Sequence, residues 1–167
     1  MNIELDKNCR NDCGAILYKR ILDSKLYNIF QRLKETFPRV QWIIYTPQKP
    51  PDAPVGFQKQ SPQNIVDQAY REAVKAIVYI PQAGKEYGFC YPSLNQVFIS
   101  TKALQKHEPT PQLDVFVPIK SLHREPNLSL LTKVIVDELA HIATGEDHGT
   151  PRYEQVHKTF KRLCDGL

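Results

Sequence analysis

The segment VIVDELAHIATGEDHG, residues 134 to 149, constrains the fold of this chain more than any other. Its apolar residues have helical spacing, yet Asp137, Glu138 and His141 interrupt the hydrophobic run. A helix that is apolar on nearly all sides packs against neighbours on two sides. A charged group left unpaired in such a place costs several kcal/mol. The sequence therefore predicts a buried helix whose ionisable side chains share a partner.

Two of these side chains point to one side of the helix. Residues four apart recur on the same face at about 100° per residue, so Asp137 and His141 point together. The opposite, apolar face consists of Leu131, Ile135, Leu139 and Ile142. Such a pair can direct two ligands to one metal ion, and the residue after the first ligand can address a water on that ion. This is the arrangement of the HExxH motif, with Asp137 in place of the first His and Glu138 at the Glu position.

A third ligand is predicted just beyond the helix. Gly145 favours a helix end near Thr144, and the turn GEDHG can return His148 to the same ion. Two ligands from a helix and one from a turn leave a coordination position open, as a catalytic zinc site requires. We therefore predict Asp137, His141 and His148 as metal ligands.

Each of these residues also has an alternative interpretation. Asp137 is suited to an ion pair with a neighbouring Lys or with His141, and Glu138 to a position on the helix surface. His148 is suited to an exposed position in a polar turn. His157, on the last predicted helix, is an alternative third ligand or a hydrogen-bond partner of a ligand.

The rest of the chain predicts a single domain, residues 1–167, with an α+β fold. Residues 15–60 hold an N-terminal helix, a strand and a Pro-rich loop, and residues 61–167 hold the sheet, the metal-site helix and a C-terminal helix. Thr150 caps this last helix and Pro151 opens it. The other predicted elements are a helix over 16–37, a strand over 40–45, a helix over 61–74, a strand over 75–80, two strands within 89–100 around a turn at 92–95, and an extended segment over 115–119.

The composition of the chain limits which partners and which cellular location we expect for the protein. A formal net charge of +4 is compatible with weak nucleic-acid association but is far from the basic stripe of a dedicated nucleic-acid-binding protein. No apolar run approaches the roughly 18 residues of a membrane span, and the N-terminus lacks the apolar core of a signal peptide. We therefore expect a cytoplasmic protein without a membrane partner and with its four cysteines reduced. Cys9 and Cys13 are spaced like half of a metal site, without a matching second pair.

One stretch of the sequence resembles a known family. DELAHIATGEDHGTPRYEQV resembles the zincin metallopeptidase core of the SprT-like and WLM-type proteins. In that family HELxH ends one helix, a Gly-containing turn supplies a third His, and an HG-x-x-[FY] segment opens the next helix. YGFCYPSLNQVFIS resembles the strand pair that precedes the active-site helix. The resemblance covers about residues 60 to 165, and its strict motif spans residues 137 to 153.

The resemblance implies a zincin-like minimal metallopeptidase core, in which a small mixed sheet packs on helices and the active-site helix precedes a C-terminal helix. Carried over by position, it implies Asp137, His141 and His148 as zinc ligands and Glu138 as the general base that activates a metal-bound water. A protein or peptide substrate would lie extended along the strand at residues 95–100. Because Asp137 stands where the family has His, manganese and iron are alternatives to zinc.

Two rival functions follow from the same residues. The altered first ligand, Asp137, is compatible with a catalytically impaired zincin-like domain that acts as a binding module. LAHIATGEDH also has a passing likeness to the HGxLHLxGYDH motif of a metal-dependent endoribonuclease, although the first His and the ligand spacing differ. The resemblance places Tyr153 as a structural residue that packs the last helix against the site. Tyr91 is predicted either to line the substrate groove or to cover the core.

Overall fold

The computed structural model describes residues 1–35, 37–52, 86–103 and 128–167. The helix predicted over 61–74, the strand over 75–80 and the extended segment over 115–119 lie outside these residues. Within the described ranges the strands are β1 (Asn2–Leu5), β2 (Gln41–Tyr45), β3 (Gly88–Tyr91) and β4 (Gln96–Ser100), and the α-helices are α1 (Cys13–Leu33), α2 (Leu128–Thr144) and α3 (Pro151–Leu163). None of these helices combines the length and the apolar character needed to cross a membrane.

The four strands form one mixed sheet in the order β1-β2-β4-β3. β1 pairs with β2 and β2 with β4 in parallel, whereas β3 runs antiparallel to β4. This sheet packs against the three helices, which confirms the predicted α+β class and the mixed sheet. β1 was not predicted, because a four-residue strand carries too little periodicity to be recognised without its partner.

The position of β4 corrects one prediction. The strand at residues 95–100 was expected to bind an extended substrate through its backbone. β4 instead has β2 on one side and β3 on the other, so both of its edges are already paired. Among the described residues β3 has a neighbouring strand on one side only. Backbone pairing with a substrate along β4 is therefore wrong, since a strand has only two edges.

Helix α1 begins and ends earlier than its hydrophobic pattern predicts. Asp12 caps it, with the side-chain Oδ1 accepting a hydrogen bond from the backbone N–H of Ala15 at 2.9 Å. The helix ends after Leu33, where Lys34 adopts a left-handed conformation with φ of 54°. The predicted end at residue 37, just before Pro38, is therefore too late. The apolar residues of α1 at helical spacing form one face, on which Leu22, Leu26, Ile29 and Leu33 are buried and Phe30 is partly buried.

The core lies on both faces of the sheet because side chains alternate along each strand. Trp42, Ile44, Val97 and Ile99 belong to the main cluster, which includes the buried faces of the helices. A second cluster on the other face consists of Tyr45, Phe89, Tyr91 and Phe98, with half-buried Ile43 packed against it. The rings of Phe89 and Phe98 are stacked with centroids 4.6 Å apart. Tyr91 is buried in this cluster, so of its two predicted roles the structure shows the core one.

Helix α2 lies against β3, and this close approach positions the site. Leu131, Ile135 and Leu139 are fully buried, as the sequence predicts for the apolar face of the helix. Gly88 at the start of β3 faces the helix, where a Cβ atom would lie only 2.8 Å from Cγ1 of Val134. A glycine is required there because the strand backbone and the helix leave no room for a side chain.

Candidate metal centre

Three predicted ligands converge at the C-terminal end of α2. Asp137 and His141 lie one turn apart on the helix, and His148 comes from the turn that follows it. One ligand atom from each residue lies within 4.8 Å of the other two. Nε2 of His141 is 3.2 Å from Nε2 of His148, which is 3.8 Å from Oδ2 of Asp137. The arrangement is that of a possible metal-binding group, as the spacing of these residues predicts.

The turn between α2 and α3 is built to return His148 to the helix. Gly145 and Gly149 have φ angles of 66° and 86°, which strain any side chain larger than hydrogen. The Thr150 hydroxyl donates a hydrogen bond to Oε2 of Glu146 at 2.9 Å. It also accepts one from the backbone N–H of Tyr153 at 3.4 Å, which caps α3 as predicted. The turn is therefore fixed at both of its ends.

His141 is oriented so that its Nε2 faces the other members of the group, at 3.2 Å from Nε2 of His148. Its Nδ1 is 2.8 Å from the backbone carbonyl oxygen of Glu146. A carbonyl oxygen only accepts, so Nδ1 carries the proton and Nε2 presents its lone pair. Zinc–nitrogen bonds of about 2.0 to 2.1 Å in a tetrahedral site place two ligand nitrogens about 3.3 to 3.4 Å apart. The 3.2 Å between the two Nε2 atoms fits that geometry.

Tyr153 contacts all three members of this group. Its hydroxyl donates a hydrogen bond to Oδ1 of Asp137. The ring is stacked on His141 with centroids 4.5 Å apart, and it meets the ring of His148 edge-on at 4.7 Å. Burial, with the hydrogen bond and the charge of Asp137 adding to it, raises the pKa of the Tyr153 phenol far above its usual range. The phenol therefore stays protonated and acts as a donor.

The structure thus adds a polar role to the packing role predicted for Tyr153. The fully buried ring packs α3 against the site. Its bond to Asp137 joins residues 16 positions apart on two different helices, so helical spacing alone could not reveal it. An aromatic residue that also carries a hydroxyl, near a predicted buried carboxylate, was the one available indication.

His157 lies beside the ligand group without belonging to it. Its Nε2 is 3.9 Å from Oδ1 of Asp137, and its ring is stacked on Tyr153 with centroids 5.5 Å apart. Among the described residues, the group with metal-ligand geometry contains His148 and not His157. Its role as a third ligand is therefore not shown. The alternative partners predicted for Asp137 were a Lys or His141, whereas its described ion-pair contacts are with His148 and His157.

Glu138 lies on a different side of the helix from the three ligands. It is 5% exposed, and its Oε1 is 3.4 Å from the position that a Cβ of Gly88 would take. The Cys90 thiol on β3 donates a hydrogen bond to the carboxylate. Burial raises the pKa of Glu138 to about 8, with the charge of Asp137 adding to this and the Cys90 bond opposing it. Glu138 is therefore not a surface residue, and its burial favours the neutral form of the carboxyl group.

A cleft of about 580 Å³ connects Glu138 with part of the ligand group. Asp137, Glu138 and His157 line it, together with Gly88 at the start of β3. Its described lining does not include His141 or His148. Asp137 therefore lies between the pair of imidazoles on one side and the cleft on the other.

The cysteines do not contribute to the site as ligands. All four are free thiols. Cys9 is buried and donates a hydrogen bond to the carbonyl oxygen of Ile44 at 3.3 Å, while Cys13 is exposed at the start of α1. Within the described part of the chain, neither joins a cluster of metal-ligating side chains. The spacing of Cys9 and Cys13 reflects the turn before α1.

Comparison with protein families, with characterised proteins and with solved structures finds no match to this chain.

Proposed function

We propose that this protein is a metal-dependent peptidase with the zincin-like architecture that its motif resembles. The convergence of Asp137, His141 and His148 carries the proposal, since their ligand atoms lie within 4.8 Å of one another. The single protonated nitrogen of His141 and the tetrahedral spacing of the two imidazoles also fit zinc. Manganese and iron are alternatives because Asp137 contributes an oxygen ligand.

The residues of the proposed site have two roles, which are metal binding and proton transfer. A divalent cation at this site would supply Lewis acidity that polarises a peptide carbonyl and makes a water more acidic. Asp137 and the two imidazoles would hold the ion. Glu138 takes a proton from the attacking water and later returns it to the leaving amine. Its carboxyl group must first ionise, and the positive charge of an ion beside Asp137 favours that form.

The substrate is a protein or peptide that enters the cleft lined by α2, by the C-terminal part of α3 with the residues after it, and by residues 86–88. Lys133 on α2 and Lys161 on α3 line the cleft together with Glu86 and Asp165, so its lining carries charges of both signs beside Asp137 and Glu138. We expect the polypeptide to bind there in extended form.

Metal content and proteolysis test the proposal together. Protein purified without chelator should carry stoichiometric metal, and Asp137→Ala and His141→Ala should lose it. With metal bound, the wild type should cleave an unfolded, fluorescently labelled protein. Glu138→Gln should keep the metal and the fold, as seen by circular dichroism, and lose the cleavage. A wild type without metal, beside ligand variants that fold equally well, would contradict the proposal at its first step.

A second candidate is a catalytically impaired zincin-like domain that acts as a binding module. Two observations favour it. The Glu138 carboxyl group forms a hydrogen bond with the Cys90 thiol, and it is not part of the group formed by Asp137, His141 and His148. The cleft reaches Asp137 without the two imidazoles among its described lining. If the protein binds stoichiometric metal but cleaves nothing with zinc, manganese, iron or cobalt, the binding module is the better description.

A further inference from the structure

The two oxygens of Asp137 have different surroundings. Oδ1 accepts the hydrogen bond of the Tyr153 hydroxyl, whereas Oδ2 faces Nε2 of His148 at 3.8 Å. The Asp137 side chain is 30% exposed, so it is neither free to rotate in solvent nor fully enclosed. A carboxylate held in this way offers one oxygen to an ion between the helix and the turn.

We propose that Tyr153 is a positioning residue that holds Asp137 as a monodentate ligand through Oδ2 and thereby favours four-coordinate zinc over larger ions. This inference rests on the metal site of the proposed function and not on its peptidase activity. A carboxylate with both oxygens available can bind an ion in bidentate fashion and raise its coordination number. Zinc prefers four ligands in tetrahedral geometry. Because the phenol donates its hydrogen bond to Oδ1, only Oδ2 remains for the metal ion, and this favours zinc.

The position of the hydroxyl is set by packing on several sides. The Tyr153 ring is stacked on His141 at 4.5 Å and on His157 at 5.5 Å. Its backbone N–H is bonded to the Thr150 side chain at the start of α3. His157 does not replace the phenol, because its Nε2 is 3.9 Å from the same oxygen, beyond hydrogen-bond distance. The Tyr153 hydroxyl is therefore the group that occupies Oδ1 of Asp137 and leaves Oδ2 for the ion.

Cobalt substitution tests this inference, since the visible absorption of Co²⁺ is stronger in four-coordinate sites than in five- or six-coordinate ones. Wild-type protein loaded with Co²⁺ should give the strong spectrum of four-coordination. Tyr153→Phe keeps the ring and removes only the hydroxyl. It should weaken the absorption and lower zinc affinity by about 10- to 100-fold, as loss of an outer hydrogen bond to a ligand commonly does. Affinity for Mn²⁺, measured by the same competition assay, should not fall.

A matched control shows whether the effect is specific to the hydroxyl beside Asp137 or follows from the loss of any buried tyrosine hydroxyl. Tyr45→Phe makes the same change in the aromatic cluster on the other face of the sheet, and it should leave the cobalt spectrum unchanged. The inference is overturned if Tyr153→Phe keeps both the wild-type spectrum and the wild-type ratio of zinc to manganese affinity. A weak, six-coordinate spectrum in the wild type also overturns it, even if the variant does not fold. Absence of any cobalt binding by the wild type would instead overturn the metal site itself.

Discussion

Gly88→Ala tests whether the contact between β3 and α2 is as close as the structure shows. An added Cβ would lie 2.8 Å from Cγ1 of Val134 and 3.0 Å from the carbonyl oxygen of Phe98. The first distance is about 1 Å shorter than a favourable contact between carbon atoms. Neither neighbour can yield easily, because Val134 is β-branched on a helix and the Phe98 oxygen belongs to the central strand β4.

The expected loss of stability follows from two opposing terms. Overpacking of a fitted contact costs about 1 to 3 kcal/mol. Replacing glycine reduces the conformational freedom of the unfolded chain, which offsets about 0.4 to 1 kcal/mol. Because real Cβ atoms essentially never make a contact as short as 2.8 Å, the upper half of the first range applies, and the net loss in the free energy of unfolding is about 1 to 2.6 kcal/mol. For a chain of this length that corresponds to a fall in Tm of about 2 to 10 °C.

Thermal and urea unfolding, followed by circular dichroism, measure this loss, and a second substitution identifies its cause. In Gly88→Ala combined with Val134→Ala, the shortest contact disappears, so the double variant should be more stable than the sum of the two single losses predicts. Gly14→Ala is the control, since its Cβ would meet only the flexible Asp12 side chain at 3.1 Å and Tyr18 at 3.9 Å. It should leave stability unchanged or raise it. If Gly88→Ala is as stable as the wild type, or Val134→Ala gives no compensation, the close packing of helix on strand is wrong.

Three further predictions concern the site and the core. His148→Ala should lower zinc affinity by more than about 100-fold, and His157→Ala by less than about 10-fold, because only His148 belongs to the possible metal-binding group; equal losses in a competition assay would reject the proposed ligand set. Thr150→Ala should cost about 1 to 2 kcal/mol in urea unfolding, since it removes the cap of α3 and the bond to the turn; an unchanged midpoint would contradict this. Burial lowers the pKa of Lys25, which is 6% exposed, so Lys25→Met should stabilise the protein by up to about 1 kcal/mol at neutral pH.

The pH dependence of the Lys25→Met effect provides its own check. Since the folded pKa of Lys25 lies below its unfolded value, folding opposes the charged form. The wild type therefore gains stability as pH rises from the folded toward the unfolded pKa of the lysine. The advantage of Lys25→Met should be constant below the folded pKa and should shrink at alkaline pH. An advantage that grows with pH would show that the lysine is stabilised by its surroundings.

The sequence was sufficient where a structural feature depends on neighbouring residues. Helical spacing predicts the buried face of α2, and the pair Thr150 and Pro151 predicts the start of α3, because capping and periodicity are local properties. The spacing of Asp137 and His141 places both side chains on one side of the helix for the same reason. The strand pair β3 and β4 was also predictable, since a short turn joins two apolar, β-branched or aromatic runs.

The tertiary structure decided everything that depends on which elements become neighbours. Residues 2–5 become a strand because β2 lies beside them, and β4 lies inside the sheet because β2 and β3 cover both of its edges. Whether Glu138 faces the imidazoles or Cys90, and which oxygen of Asp137 is bonded to Tyr153, follows from the packing of β3 and α3 around α2. Periodicity fixes the direction of a side chain around its own helix, but only the packed neighbours determine what that side chain meets.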